Sequence, residues 1–254
     1  MAFPRIYYSD EISAESVIQL SGSATRHVVR VLRLQPGDQL ILFNGKGGEF
    51  RARIQRTQRD GATVAVEQYL GIERESPLVI SLAQAVCAAE KMDWIVQKAV
   101  ELGVSDIQVL ATKLCTTKLS DERVDKRMAH WRQVAISACE QCGRNRIPQI
   151  SPLATLPSWL GSKMDEKSRL GSDHRNLRFM LSPYAEESLN CFTEGPSVSS
   201  VTFLVGPEGG LTREEEAAAA VAEFAPLNLG PRTLRTETAG LTAIAVAQAV
   251  WGDF

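Results

Sequence analysis

Apolar positions in the first 70 or so residues recur at every second residue, the period of strands. DQLILF (38–43), the turn Asn44-Gly45-Lys46-Gly47-Gly48 and EFRARIQR (49–56) have the form of a β-hairpin, and ATVAVEQYL supplies a further strand. In the second arm Phe50, Ala52 and Ile54 alternate with Arg51, Arg53 and Gln55, which predicts one core face and one cationic face. A helical insert precedes the hairpin. There Arg26, Arg30 and Arg33 are spaced four and three apart, with Val28, Val31 and Leu32 expected on the other side. Charge and proline then break the pattern at Gly71-Ile72-Glu73-Arg74-Glu75-Ser76-Pro77, a candidate boundary.

Beyond it, short apolar runs alternate with helical periods. Strand LVISLAQAV leads to a helix over about 90–102, closed by Gly103, and strand DIQVLA follows. A long helix carries Val124, Met128, Trp131, Ala135, Ala138 and Cys142 on one stripe. Residues 161–177 are polar and aperiodic, and read as a mobile surface loop. Strands RFMLS and VTFLV come next, then a helix from about Arg213, a short strand over 227–229 and an apolar helix ending at Trp251. This rhythm predicts an α/β domain with a mostly parallel sheet and helices on both faces, preceded by a small β domain.

With 254 residues, 44% hydrophobic and 23% charged, the chain has a globular composition. No apolar run reaches the roughly 20 residues of a membrane span and the first residues do not resemble a signal peptide, so a cytoplasmic protein is expected. Five cysteines without scaffold spacing fit reduced thiols, and the Cys139/Cys142 pair lacks the second pair a zinc site needs. His27, His130 and His174 are scattered, so neither a triad nor a metal site is expected. The net charge of −2 hides an uneven distribution, because eight basic residues face two acidic ones between Arg26 and Arg59, and eight face four between Lys113 and Arg146. A polyanion could read two local surfaces.

Candidate chemistry gathers late in the chain. In VTFLVGPEGGLTREEE a strand ends in a glycine turn, and Thr212 with Glu215 forms a capping box. Glycines at the carboxyl end of a strand let a ligand approach the backbone, although a plain tight turn would look the same. Neither GxGxxG nor a Walker loop fits the spacing. LGPRTLRTETAG places Arg232, Arg235 and Glu237 in a loop that opens the last helix. Asp93, Gln97 and Glu101 share a helix face, and Glu140 with Arg144 is spaced as an ion pair.

The motifs RHVVRVLRLQPGD, FNGKGGEF, KMDWIVQKAVELGV, ACEQCGRNRIPQI, FLVGPEGGLTREE and LGPRTLRTETAGLTAI occur in this order. Together they resemble the RsmE family of ribosomal RNA uridine methyltransferases, nearly end to end. TKLCTTKLS departs from the more Arg-Ser-like stretch of that pattern, which leaves open what Lys113 and Lys118 do. The resemblance implies a PUA-like β-barrel over 1–72 and a SPOUT domain with a trefoil knot over 73–254; in the first, Arg26, Arg30 and Arg33 on one helix face and Arg51 and Arg53 on one strand face are the candidate RNA contacts, with a solvated charged face as the alternative. It also implies a homodimer without a metal. S-adenosylmethionine would lie against Leu181, Gly206, Pro207, Glu208, Gly209, Leu229, Gly230, Leu234, Thr238 and Ala239. The implied reaction is methylation of N-3 of a uridine in the decoding region of 16S ribosomal RNA, in the small subunit. Arg235 and Glu237 are the first candidates for activating the imide nitrogen, Glu140 and Arg144 the next. A non-catalytic assembly factor, or a SPOUT enzyme for another nucleotide, are the competing readings.

Overall fold

The computed structural model describes residues 3–58, 61–116, 121–167, 175–192 and 197–254. Lys118 and His174 lie outside them. The chain divides into two compact units, one of residues 1–75 and 136–147, the other of 76–135 and 148–254.

The first unit holds β1 (Arg5–Tyr7), β2 (Val17–Leu20), α1 (Gly22–Arg26), β3 (Gln39–Phe43), β4 (Glu49–Gln58) and β5 (Gly61–Leu70). Its sheet runs β1-β3-β4-β5-β2, with β1 parallel to β3 and the other pairs antiparallel. Gly45, Gly47 and Gly48 take φ of 79°, 107° and 68° in the β3–β4 turn, which explains its glycines. Leu40, Leu42, Ala52, Ile54, Val64 and Val66 pack with Ile18, Leu20 and Val28 into one core. Each large aliphatic side chain there contributes about 1.5–3 kcal/mol relative to exposure.

Two expectations change here. The helical insert is α1 followed by a π-helical turn over His27–Val31, in which Leu32 N donates to His27 O at 2.9 Å. An i→i+5 turn carries an extra residue, so a 3.6-residue period misplaces the side chains beyond it. Val31, expected in the core, is 66% exposed, and Arg33 stands beyond the turn at φ 53°. The arginines of β4 do face away from the core, but the strand face is not simply cationic. Glu67 on β5 takes Arg51 at 3.4 Å and Arg53 at 2.7 Å. Arg51 also donates to Gln68 Oε1, and Arg53 to Gly37 O.

The second unit holds β6 (Val79–Ala85), α2 (Ala89–Glu101), β7 (Asp106–Ala111), α3 (Asp121–Cys142, of which residues from Ile136 on belong to the first unit), β8 (Gln149–Thr155), α4 (Leu156–Lys167), β9 (Arg175–Leu181), β10 (Val198–Val205), α5 (Arg213–Val221), β11 (Ala225–Leu227) and α6 (Thr236–Trp251). Six parallel strands lie in the order β11-β9-β10-β6-β7-β8. Gly240 lets α6 approach the sheet, since a Cβ there would sit 3.4 Å from both Leu82 and Val205. Gln248, 1% exposed, fastens the far end of α6: its Oε1 accepts from Ser76 Oγ at 2.7 Å, and its Nε2 donates to Leu102 O at 3.0 Å.

The loop expected over 161–177 is corrected at both ends, where 161–167 complete α4 and 175–177 begin β9. Its polar residues hide the period because α4 buries only Leu156, Trp159 and Leu160 among its described side chains. The short strand expected over 227–229 lies at Ala225–Leu227. The polar face of α2 is partly internal, since Asp93 accepts from Trp131 Nε1 at 3.1 Å. No described helix is long and apolar enough to cross a membrane.

Candidate active site

Three neighbouring parallel strands, β11, β9 and β10, end side by side, and the loops that follow them enclose a cavity of about 530 Å³. Crevices at the carboxyl ends of parallel strands are where α/β sheets take ligands. The turn after β10 closes when Gly210 N donates to Pro207 O at 2.9 Å, with Gly210 at φ 73°. Gly206 has no room for a side chain, because a Cβ would meet the Gly210 carbonyl carbon at 3.0 Å. Thr236 Oγ1 donates to Gly206 O at 2.6 Å and accepts from Gln84 Nε2 at 3.0 Å. This chain of bonds joins the turn to the start of α6. The loop after β9 is pinned by Asn228, whose Nδ2 donates to Pro183 O at 3.3 Å and Ala185 O at 3.0 Å while its Oδ1 accepts from Gly230 N.

All the proposed cofactor residues except Thr238 line this cavity: Leu181, Gly206, Pro207, Glu208, Gly209, Leu229, Gly230, Leu234 and Ala239. Thr238 is exposed, because the first turn of α6 carries it outward. Arg232 and Arg235 also line the cavity, Arg235 as the residue before the first turn of α6. Glu237 is reached through Lys91. The Lys91 Nζ lies 3.0 Å from Glu208 Oε1 and 3.5 Å from Glu237 Oε2. Glu237 Oε2 is buried and makes no hydrogen bond among the described residues. Burial pushes the Glu208 carboxyl up, but the Lys91 bond and backbone amides outweigh it and hold it below the usual carboxylate range. The Glu208 bond raises Lys91 in turn.

Glu140 and Arg144 belong to the first unit and have partners within it. Glu140 accepts from Tyr7 N at 3.0 Å and lies 3.3 Å from His27 Nδ1, while burial pushes its carboxyl up. Arg144 pairs with Glu75 through two nitrogens. Arg26, Arg30 and Arg33 are exposed. The five cysteines are free, and burial pushes Cys87 and Cys139 up to about 12, which leaves them unreactive thiols.

Sequence reasoning passed over Lys91, Ser182 and Thr236. Lys91 did carry a signal: a cation in the first turn of a helix opposes the helix dipole and needs an acidic partner.

The RNA methyltransferase domain profile matches residues 74–248, and the RNA methyltransferase PUA domain profile matches 20–67. The Ribosomal RNA small subunit methyltransferase E of Buchnera aphidicola subsp. Schizaphis graminum is 33% identical over 98% of this chain and 97% of its own. The chain belongs to the RsmE family. A Bacillus subtilis member is 28% identical over 92% of this chain and 90% of its own. Among solved structures, a Legionella pneumophila methyltransferase in complex with the cofactor SAM is 39% identical, with a TM-score of 0.90 and full coverage of both chains. The Neisseria gonorrhoeae member bound to S-adenosyl methionine is 36% identical, with a TM-score of 0.87 over 99% of each chain. The family's two parts correspond here to a PUA-like β domain and a parallel-sheet methyltransferase domain.

Proposed function

We propose that this protein is an S-adenosylmethionine-dependent methyltransferase that modifies N-3 of a uridine in the decoding region of 16S ribosomal RNA, in the small subunit. The observation that carries this reading is the cavity at the ends of β9, β10 and β11, lined by the motif residues of the family. Its size suits a nucleoside-sized ligand. The lack of room at Gly206 suits a ligand held by exposed backbone.

S-adenosylmethionine supplies an electrophilic methyl group when bound, so the chain's work is orientation and activation of the nucleophile. The turn at 206–210 and the loop at 229–235 hold the cofactor. Arg235 faces the negative charge that develops on the uracil oxygens, and Glu237, 3.5 Å from Lys91 Nζ, accepts the imide proton. Domains over 1–72 and 73–254 divide the labour, with Arg26, Arg30, Arg33, Arg51 and Arg53 of the first on RNA. The return of the chain from β10 to β11, two strands away across β9, is compatible with the SPOUT trefoil knot. A cytoplasmic homodimer completes the proposal, with Val250 at 37% exposure on an α6 rich in apolar residues as its contact.

The test uses small subunits from a strain lacking this protein. Incubation with the purified protein and labelled S-adenosylmethionine should add one methyl group, which mass spectrometry maps to a uridine base. Tight binding without label would make the protein an assembly factor, and label on another nucleotide would change the substrate.

A further inference from the structure

Helix α3 carries a face of cations that the cavity does not use. Arg123, Lys126, Arg127 and His130 recur at intervals of three and four, which puts them on one side of the helix. They line a shallow concavity of about 450 Å³. The other side of the helix is fixed by packing, with Trp131 and Ala135 buried. Asp93 on α2 sets its rotation by accepting from Trp131 Nε1 at 3.1 Å and lying 2.9 Å from His130 Nε2. Arg123, Lys126 and Arg127 make no ion pair among the described side chains, and Asp125 falls by its spacing on the far flank.

A helix face stabilised for its own sake pairs acid with base four residues apart. Here Arg123 stands four from Arg127, like charge beside like, which an external anion would offset. The row spans about 10 Å at 1.5 Å per residue. That is roughly three nucleotides of a strand at 3.4 Å each. Two guanidinium groups, each able to take a phosphate through two N–H bonds, suit successive phosphates better than one small anion.

We infer that this face of α3 binds backbone phosphates of the RNA substrate, a binding surface on the methyltransferase unit in addition to the arginines of the first unit. The inference rests on the reading of the chain as an RNA methyltransferase. It is tested with the full-length double variant Arg123→Gln/Arg127→Gln, measuring affinity for naked 16S ribosomal RNA and for small subunits across a salt series, and for S-adenosylmethionine by calorimetry. Both RNA dissociation constants should rise several-fold. The slope against log salt should flatten by about 0.7–0.9 for each phosphate that is no longer neutralised. Cofactor affinity should hold, and Arg123→Lys/Arg127→Lys should recover most of the slope. Unchanged affinity and slope for both RNA probes would overturn the inference. So would a loss confined to assembled subunits, which would point to a ribosomal protein as the partner. Wild-type protein that binds neither RNA nor S-adenosylmethionine would defeat the functional reading itself, before any change in α3.

Discussion

Two charge clusters in this molecule are mirror images of each other. In the first unit one carboxylate, Glu49, lies between two guanidinium groups, Arg5 at 2.5 Å and Arg74 at 2.9 Å. In the second, one ammonium group, Lys91, lies between Glu208 and Glu237. The side chain of Glu49 is 4% exposed and that of Arg5 11%, whereas Lys91 and Glu208 stand at 26% and 33% beside the cavity. Arg5 further donates to Asn145 Oδ1 at 2.5 Å, and Asn145 to Ile72 O at 2.7 Å, so Glu49 is enclosed by internal partners, although Arg5 Nε is buried without a hydrogen bond among the described residues. The second cluster likewise holds a buried oxygen without a hydrogen bond among the described residues, Glu237 Oε2. The same residue types thus brace a fold in one place and keep charge available to a ligand in the other. Enclosure of the central charge separates the two roles.

The largest effect is expected at the closed cluster. Glu49→Ala leaves the buried guanidinium group of Arg5 without its carboxylate and frees the part-exposed Arg74, and should cost about 3 kcal/mol of stability in urea denaturation. Burial raises the Glu49 carboxyl, but Arg74 and Arg5 outweigh burial and hold it below its ordinary value of 4.5. Because the folded value is the depressed one, this stabilisation is present above about pH 4.5 and is lost as pH falls through the folded value. The wild type should therefore weaken below that pH more steeply than Glu49→Ala does.

At the open cluster the fold should survive and the reaction should not. Lys91→Met should lower kcat about 10²-fold by freeing the two carboxylates, with little change in KM for RNA. Steady-state methylation would show this, and partial recovery in Lys91→Arg would separate a positioning role from general damage. An equal loss of stability in Lys91→Met and Glu49→Ala would erase the distinction between the clusters.

Smaller changes refine the cavity. Gly206→Ala collides with the backbone of its own turn and should weaken S-adenosylmethionine binding about tenfold in calorimetry. Gly209 behaves differently, since a side chain there meets Leu114 at 3.2 Å, so Gly209→Val strains the loop after β7 before it can fill the cavity. The smallest effect belongs to Arg51→Ala/Arg53→Ala. Both arginines share Glu67 at an exposed position, so the fold should lose about 0–1 kcal/mol. The salt slope of RNA binding should change less than it does for Arg26→Ala/Arg30→Ala, whose side chains are free of ion pairs among the described residues.

Much of this architecture could be read from local pattern. The hairpin of β3 and β4, the capping box of Thr212 and Glu215 and the extent of β7 each follow from residues near one another in the chain. Strand β8 escaped because Pro152 interrupts it and neither face alternates, which an edge strand tolerates. The π turn at 27–31 escaped because the period there is not the one assumed. At the cavity, turn glycines and loop arginines announced themselves, since turn chemistry is local. Lys91 and Glu208 are 117 residues apart, and Gln84 and Thr236 152 apart. Such pairings exist only once parallel strands bring their ends together.

The two borders of the six-stranded sheet have a bearing on how the protein behaves in concentrated solution. A free strand edge offers unpaired amide and carbonyl groups to any other chain, and is a template for aggregation. Here one border is β11, three residues long with Pro226 at its centre, and the other is β8, with Pro152 in its middle. Neither proline can donate a ladder hydrogen bond. The irregularity that hid β8 from pattern reading is thus a guard on the sheet, keeping a strongly apolar parallel core from recruiting strands of its neighbours.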